Sequence, residues 1–228
     1  KSFYQYNESE TALQDYLKSW GFGSKTGIEL SGESEGRVPT PEWKKKFNRD
    51  APESQAWLPG DLSNLIIGQG DLLVTPLQIC CGYAGLATGR VPKPVLLHSV
   101  ISTDGTMTAV DGARYQGSIV QPEFDQKNID IMRSGFRGVV EDGSVSGVFE
   151  DMGIATSGKT GTGEVAGKDD YGWYVGYGPT EAPEYVCVCC IEEGGSGALC
   201  AAPAVRSVLA AAFGLSAEHV SGSATEER

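Results

Sequence analysis

Beyond Gly143 the sequence changes its period, and this change constrains the fold more than any other feature. The runs 154–165, 171–177 and 185–192 are rich in aromatic, β-branched and small residues and are separated by Gly, Asp and Pro clusters. Two-residue periodicity between turn signals predicts three strands joined as an antiparallel meander. A final helix over 201–213, opened by Pro203, follows them, and the polar stretch 216–228 reads as a disordered tail.

Ahead of the meander, helical spacing dominates. Ser9 caps an expected helix over 10–20 whose Leu13, Tyr16, Leu17 and Trp20 share one face. Thr75 and Pro76 open a second helix that Gly89 closes. A third covers 125–141, with Ile129, Met132, Phe136 and Val139 or Val140 on one side. Between them, 26–30 reads as a short strand and the proline-rich, charged stretch 33–59 as a long surface excursion. Asp104-Gly105 marks a hairpin turn between strands within 95–102 and 106–110. Helices, then strands, then a helix make α+β the expected class, with an antiparallel sheet flanked by helices.

A chain of 228 residues, 40% of them hydrophobic, can bury a sizeable core, and one domain over 1–213 followed by a tail over 214–228 is expected. Its net charge of −12 opposes phosphate backbones and anionic membranes, so nucleic acid is not an expected partner. The uncharged stretch 72–89 contains Thr75, Pro76, Gln78 and several glycines, which suits a helix with its lead-in better than a membrane span. Residues 1–20 lack the apolar centre of a signal peptide, so the chain is expected to carry no address of its own. Cys80, Cys81, Cys187, Cys189, Cys190 and Cys200 form no paired C-x-x-C pattern, and no metal or cofactor is expected. They read as buried thiols, with a disulfide from Cys80 or Cys81 to a strand cysteine as the alternative.

The chemistry concentrates in Ser157-Gly158-Lys159-Thr160-Gly161-Thr162-Gly163-Glu164. A lysine and two hydroxyls separated by glycine can meet an anionic, extended ligand along a strand edge, because glycine admits another backbone where a Cβ would block it. A solvated lysine on an exposed strand is the bland alternative. Residues 153–160 also satisfy the nucleotide-binding pattern G-x-x-x-x-G-K-[ST], and 186–193 imitates the apolar strand ending in acids that would hold magnesium. That pattern needs a helix whose N-terminus follows Lys159-Thr160, whereas glycines and the β-type Trp173-Tyr174-Val175 follow here. His98 and His219 read as incidental, and Ser102-Thr103-Asp104 as part of the hairpin turn.

Several blocks, in order, resemble penicillin-binding proteins, whose third motif is Lys-Thr-Gly. They are Phe22-Gly23-Ser24-Lys25-Thr26-Gly27-Ile28-Glu29-Leu30, Pro39-Thr40-Pro41-Glu42-Trp43-Lys44, Ile67-Gly68-Gln69-Gly70 through Gln78, Lys159-Thr160-Gly161-Thr162, Trp173 to Pro179, and Ala201-Ala202-Pro203. The resemblance covers about residues 1–213 and points to the cell-elongation branch of class B. It implies that Lys159, Thr160 and Thr162 bind the carboxylate of a peptidoglycan stem peptide or β-lactam. The backbone N–H of Thr162 would serve the oxyanion, and Gly161 would keep the edge open.

The family's nucleophile stands in Ser-x-x-Lys, followed by Ser-x-Asn, and Ser-x-x-Lys occurs nowhere in this sequence. Lys1-Ser2-Phe3-Tyr4 resembles the residues just after the second motif. The resemblance therefore implies a C-terminal piece of a serine D,D-transpeptidase, inactive alone, with apolar surface exposed where the missing N-terminal half would pack. It also implies a place outside the bacterial plasma membrane, an anchor upstream, and partners in the cell-wall elongation machinery. A non-catalytic scaffold, a β-lactam sensor and a nucleotide-binding protein are the competing readings.

Overall fold

A computed structural model of the chain describes residues 10–109, 118–120 and 122–215, with backbone alone at 118–120. The expected Ser9 cap, the tail over 216–228 and His219 lie outside these residues. The chain divides into two compact units, Lys1–Gln78 with Val91–Pro122, and Ile79–Arg90 with Glu123–Arg228.

In the first unit, α1 (Ala12–Ser19) is shorter than the sequence suggests, and its apolar stripe is not its most buried part. Gln14 is fully buried, Trp20 is buried just beyond the helix, and Tyr16 is exposed. The stretch 26–30 forms no strand. The carboxylate of Glu33 instead accepts the backbone N–H and hydroxyl of Thr26, at 2.7 and 2.5 Å, and the N–H of Gly27 at 3.2 Å. These bonds curl the backbone into a turn, with Gly27 at φ +77°.

The excursion 33–59 is also more regular than expected. Its prolines start helices rather than prevent them: α2 (Pro41–Phe47), a 3₁₀ turn (Pro52–Ser54) and α3 (Pro59–Ile66) each begin on proline, where the missing N–H would have no helical partner. Thr40 caps α2 by accepting from Trp43 N at 3.1 Å. Asp61 caps α3 by accepting from Leu58 N at 2.6 Å, and it also receives Lys44 Nζ at 2.6 Å. Short antiparallel pairs complete the unit: β1 (Val91–Pro92) with β4 (Ser118–Val120), and β2 (Ser99–Ile101) with β3 (Met107–Ala109). The second pair forms the hairpin expected around Asp104-Gly105, closed by Gly105 N to Ser102 O at 2.9 Å.

The unit boundary falls within α4 (Pro76–Thr88). Thr75 and Gln78 form a reciprocal box at its start, Gln78 N donating to Thr75 Oγ1 at 3.1 Å and Thr75 N to Gln78 Oε1 at 2.9 Å. Gln78 also donates to the carbonyls of Ser24 and Glu35 at 2.8 and 2.9 Å, which ties together the turns of the first unit.

The second unit contains α5 (Gln126–Glu141), capped by Asp125, then α6 (Ser146–Phe149) and the expected meander. Its strands β5 (Ser157–Gly163), β6 (Tyr171–Gly178) and β7 (Tyr185–Ile191) are antiparallel in the order β5-β6-β7. Helix α7 (Gly197–Ala212) packs on them. It starts earlier than the sequence suggests, so Pro203 lies inside it rather than at its start. A Gly-Gly-Ser-Gly run over 194–197 carries the helix start at its end, with Cys200 N bonded to Ser196 O at 3.1 Å.

Val140, Val145, Val148, Phe149, Tyr174, Val205 and Leu209 form the core of this unit with a stripe of α7 alanines. Each fully buried valine or leucine contributes roughly 1.5–3 kcal/mol. Helices and antiparallel sheets together bear out the α+β class. Among the described residues no helix is long and apolar enough to cross a membrane.

Asp61 gives the first unit an acid-sensitive joint. Partial burial works to raise its carboxyl, but the Lys44 ammonium, the Leu58 N–H and the Lys44 charge together hold it below its ordinary value of 3.8. A depressed carboxyl stabilises the fold above the unfolded value and loses that contribution as pH falls through the lower folded value. Asp61→Asn is therefore expected to cost about 1–3 kcal/mol in urea melts at pH 7, and the difference from wild type should shrink toward zero as the pH drops below 3.8. A difference unchanged between pH 7 and pH 3 would contradict this account.

Candidate active site

Strand β5 carries all four residues singled out in the sequence, and among the described residues it is one of the two outer strands of its sheet, β7 being the other. Register places Lys159 opposite Val175, Thr160 opposite Tyr174, Gly161 opposite Trp173 and Thr162 opposite Gly172. Alternation along the strand puts Lys159 and Gly161 on one face, and Thr160 and Thr162 on the other. Lys159 is exposed, whereas Thr160 is only 7% exposed and lies beside Tyr174 at 1%.

The lysine nonetheless reaches its neighbour. Lys159 Nζ donates to Thr160 O at 3.1 Å and to Thr160 Oγ1 at 3.3 Å. An ammonium and a hydroxyl thus converge on one stretch of backbone. Thr162 is exposed two residues further on, about 7 Å along the strand by the usual rise. A carboxylate arriving here would find one positive charge and a run of short polar groups with no bulky side chain between them.

Close approach of other elements fixes the strand in place. A Cβ on Gly197 would fall on the carbonyl oxygens of Gly161 and Trp173, so the first residue of α7 can rest there only as glycine. A Cβ on Gly158 would strike the Tyr174 hydroxyl and the Val175 carbonyl. Upstream, Arg137 Nη1 donates to Thr156 O at 3.0 Å, and the hydroxyls of Ser157 and Thr180 are 2.9 Å apart. Gly197 and Arg137 are positioning residues to which the sequence reading assigned no role, and Ser157, the first residue of the key segment, is a third; the Ser196-Gly197 pair was the available signal for Gly197.

Lys159 and Thr160 continue a strand rather than entering a helix, which removes the basis of the nucleotide-binding reading. His98 is exposed and precedes β2 rather than lying in it.

The cysteines are free thiols: Cys81 is buried and the other five are partly buried. The proposed disulfide from α4 to β7 is not formed, and Cys80 Sγ instead lies 3.8 Å from Val186 O. Burial raises the thiols of Cys80, Cys187 and Cys189, and lifts Cys190 to about 11, which keeps them protonated and poorly nucleophilic at neutral pH. Burial also pushes the Tyr83 hydroxyl up to about 12, with Tyr177 adding to it, and raises Tyr174 further. Neither phenol is a ready base. Among the described residues no cluster of three or more His, Cys, Asp or Glu is arranged to hold a metal.

Comparison with known proteins gives the family and the fold. Residues 5–210 match the penicillin binding protein transpeptidase domain. The peptidoglycan D,D-transpeptidase MrdA of Haemophilus influenzae is 30% identical over 233 residues, covering 91% of this chain and 34% of that protein. The penicillin-binding protein PbpB of Mycolicibacterium smegmatis is 33% identical over 190 residues, covering 75% of this chain and 26% of that protein. Among solved structures, Pseudomonas aeruginosa PBP2 in complex with WCK 5153 superposes with a TM-score of 0.70 at 29% identity, covering 93% of this chain and 45% of that one. PBP2 in its complex with MreC from Helicobacter pylori gives 0.70 at 30% identity, covering 89% and 36%. The chain thus spans about a third of the length of the curated relatives it matches.

The glycine contacts give a paired test. Gly158→Ala is expected to lower stability by about 1–3 kcal/mol through overpacking. Gly135→Ala, in the middle of α5 with open space around the new methyl, should raise stability by about 0.5–1 kcal/mol. Thermal denaturation of both variants measures this, and equal effects would contradict the packing described for β5.

Proposed function

The chain belongs to the penicillin-binding protein transpeptidase family, and from that premise we propose that it is the C-terminal part of a class B peptidoglycan D,D-transpeptidase. The convergence of Lys159 Nζ and Thr160 Oγ1 at 3.3 Å on an outer strand carries this reading. Lys159, Thr160 and Thr162 hold the terminal carboxylate of a stem peptide, or the matching carboxylate of a β-lactam. Gly161 admits the extended substrate backbone. The Thr162 N–H donates to the carbonyl oxygen as it gains charge, which is worth most when water is excluded.

The nucleophilic serine and its lysine come from the polypeptide upstream of Lys1. The serine oxygen attacks the penultimate carbonyl of the stem, the terminal D-alanine leaves with a proton on its nitrogen, and an amine of a neighbouring stem takes the acyl group and frees the serine. The reaction asks no redox step or metal of these residues. Activity of this kind belongs on the outer face of the plasma membrane, through an anchor upstream. The MreC complex of the Helicobacter pylori relative supports partners in the cell-elongation machinery.

Fluorescent penicillin tests the reading. The 228-residue chain is expected to take no covalent label, and the polypeptide extended upstream through Ser-x-x-Lys should label stoichiometrically. In the extended protein, Lys159→Ala should slow acylation by roughly 100-fold or more, and Thr162→Val by about 10-fold. Stoichiometric labelling of the short chain, or an extended protein indifferent to Lys159→Ala, would overturn the assignment. An extended protein that folds and never labels would favour a scaffold that kept the fold without the chemistry.

A further inference from the structure

Lys159 is carried between two fixed points on β5. Two residues beyond it, the carbonyl oxygen of Gly161 lies where any Cβ on Gly197 would fall, so the start of α7 rests on the strand there. Two residues before it, Ser157 is fully buried, and its hydroxyl lies 2.9 Å from that of Thr180. The first point is a contact shared with a whole helix. The second hangs on one threonine in the turn between β6 and β7.

Thr180 grips the entrance to β5 twice. Its N–H donates to Ala155 O at 2.8 Å, and its hydroxyl meets that of Ser157. Glu184 N closes the same turn on Gly178 O at 2.9 Å, so the grip is mounted on the base of the β6–β7 hairpin. Between the two contacts, Thr156 O accepts from Arg137 Nη1 at 3.0 Å. Residues 155, 156 and 157 are thus each bound from outside the strand.

An outer strand needs such a grip. Among the described residues β5 is hydrogen-bonded to β6 on one edge only, and the other edge has to stay free if an extended ligand is to lie along it. A swing of the strand is therefore resisted from its entrance rather than from its free side. Ser157, Lys159 and Gly161 share a face, and Lys159 stands about 7 Å beyond Ser157 by the usual rise. A change of angle at Ser157 moves the lysine and the Thr162 N–H without altering which groups the site contains.

We propose that Thr180 is a positioning residue for the transpeptidase reaction, setting through Ser157 and Ala155 the angle at which β5 presents Lys159 and the Thr162 N–H. It touches neither the substrate nor the reacting atoms. The role rests on the part assigned to Lys159 and Thr162 in the reaction. A long lysine side chain can follow a displaced carboxylate, but a backbone N–H cannot follow a displaced oxyanion. Loosening the grip therefore slows acylation more than it weakens the first attachment of the ligand.

Stopped-flow acylation of the upstream-extended protein by fluorescent penicillin tests this in wild type, Thr180→Val, Thr180→Ser, Ser157→Ala and the double variant Thr180→Val/Ser157→Ala. Thr180→Val should slow the acylation step about 10-fold while changing initial binding by about twofold or less. Thr180→Ser keeps the hydroxyl and should keep the wild-type rate. The double variant should be no slower than the slower single variant, because both singles delete the same bond. A readout independent of the chemistry comes from amide hydrogen exchange in the 228-residue chain: amides over 159–162 should exchange faster in Thr180→Val and at the wild-type rate in Thr180→Ser, with β7 unchanged.

A Thr180→Val protein that melts at a lower temperature but acylates at the wild-type rate would make Thr180 a purely structural residue and overturn the proposal. Additive losses in the double variant, or unchanged exchange in β5, would overturn it too. A wild type that takes no label counts against the reading of Lys159 and brings down the role of Thr180 with it. A labelling wild type whose rate is indifferent to Thr180→Val counts against Thr180 alone.

Discussion

The contact on which the second unit most depends is the meeting of Gly197 with the carbonyl oxygens of Gly161 and Trp173. A helix start normally stands off a sheet by the length of its side chains, and glycine removes that spacer. Gly172 does the same against Cys200, and Gly176 against Val205 and Leu209. The sheet and α7 therefore share a surface with few Cβ atoms on the contact line, and the depth of that contact sets where β5 runs. Because interiors are packed like crystals, a methyl inserted here has nowhere to go.

A strand held so firmly from one side can leave its other side open. β5 keeps an edge along which an extended ligand can lie, and its polar groups are short or, in Lys159, long enough to fold back on the backbone. The buried thiols and phenols of the same unit are pushed toward their neutral forms, so the charge available at the strand comes from lysine rather than from a thiolate or phenolate. This arrangement suits binding and charge stabilisation, and a nucleophile has to be brought to it.

The meander, α4 and α5 were legible because their patterns are long and their punctuation is unambiguous. Gly89 and Asp125 stand where a helix end and a helix cap should. The first unit was harder to read, for physical reasons. Pro41, Pro52 and Pro59 look like breakers until their places in the first turn are known, and 26–30 lost its strand to a carboxylate seven residues away, which no local propensity reveals. The start of α7 hid in a glycine run whose purpose is tertiary. At the site, Lys159 and Thr160 were legible as a pair, but alternation alone separates them across the strand, and only the fold of the lysine side chain reunites them.

The central claim is that β5 receives a carboxylate between its lysine and its threonine hydroxyls. A crystal structure of the upstream-extended protein acylated by a β-lactam tests it most directly. The account predicts the drug's carboxylate within hydrogen-bond reach of Thr160 or Thr162 and beside Lys159, with the acyl oxygen facing the Thr162 N–H. An adduct whose carboxylate points away from β5, with Lys159 still folded onto Thr160, would contradict it.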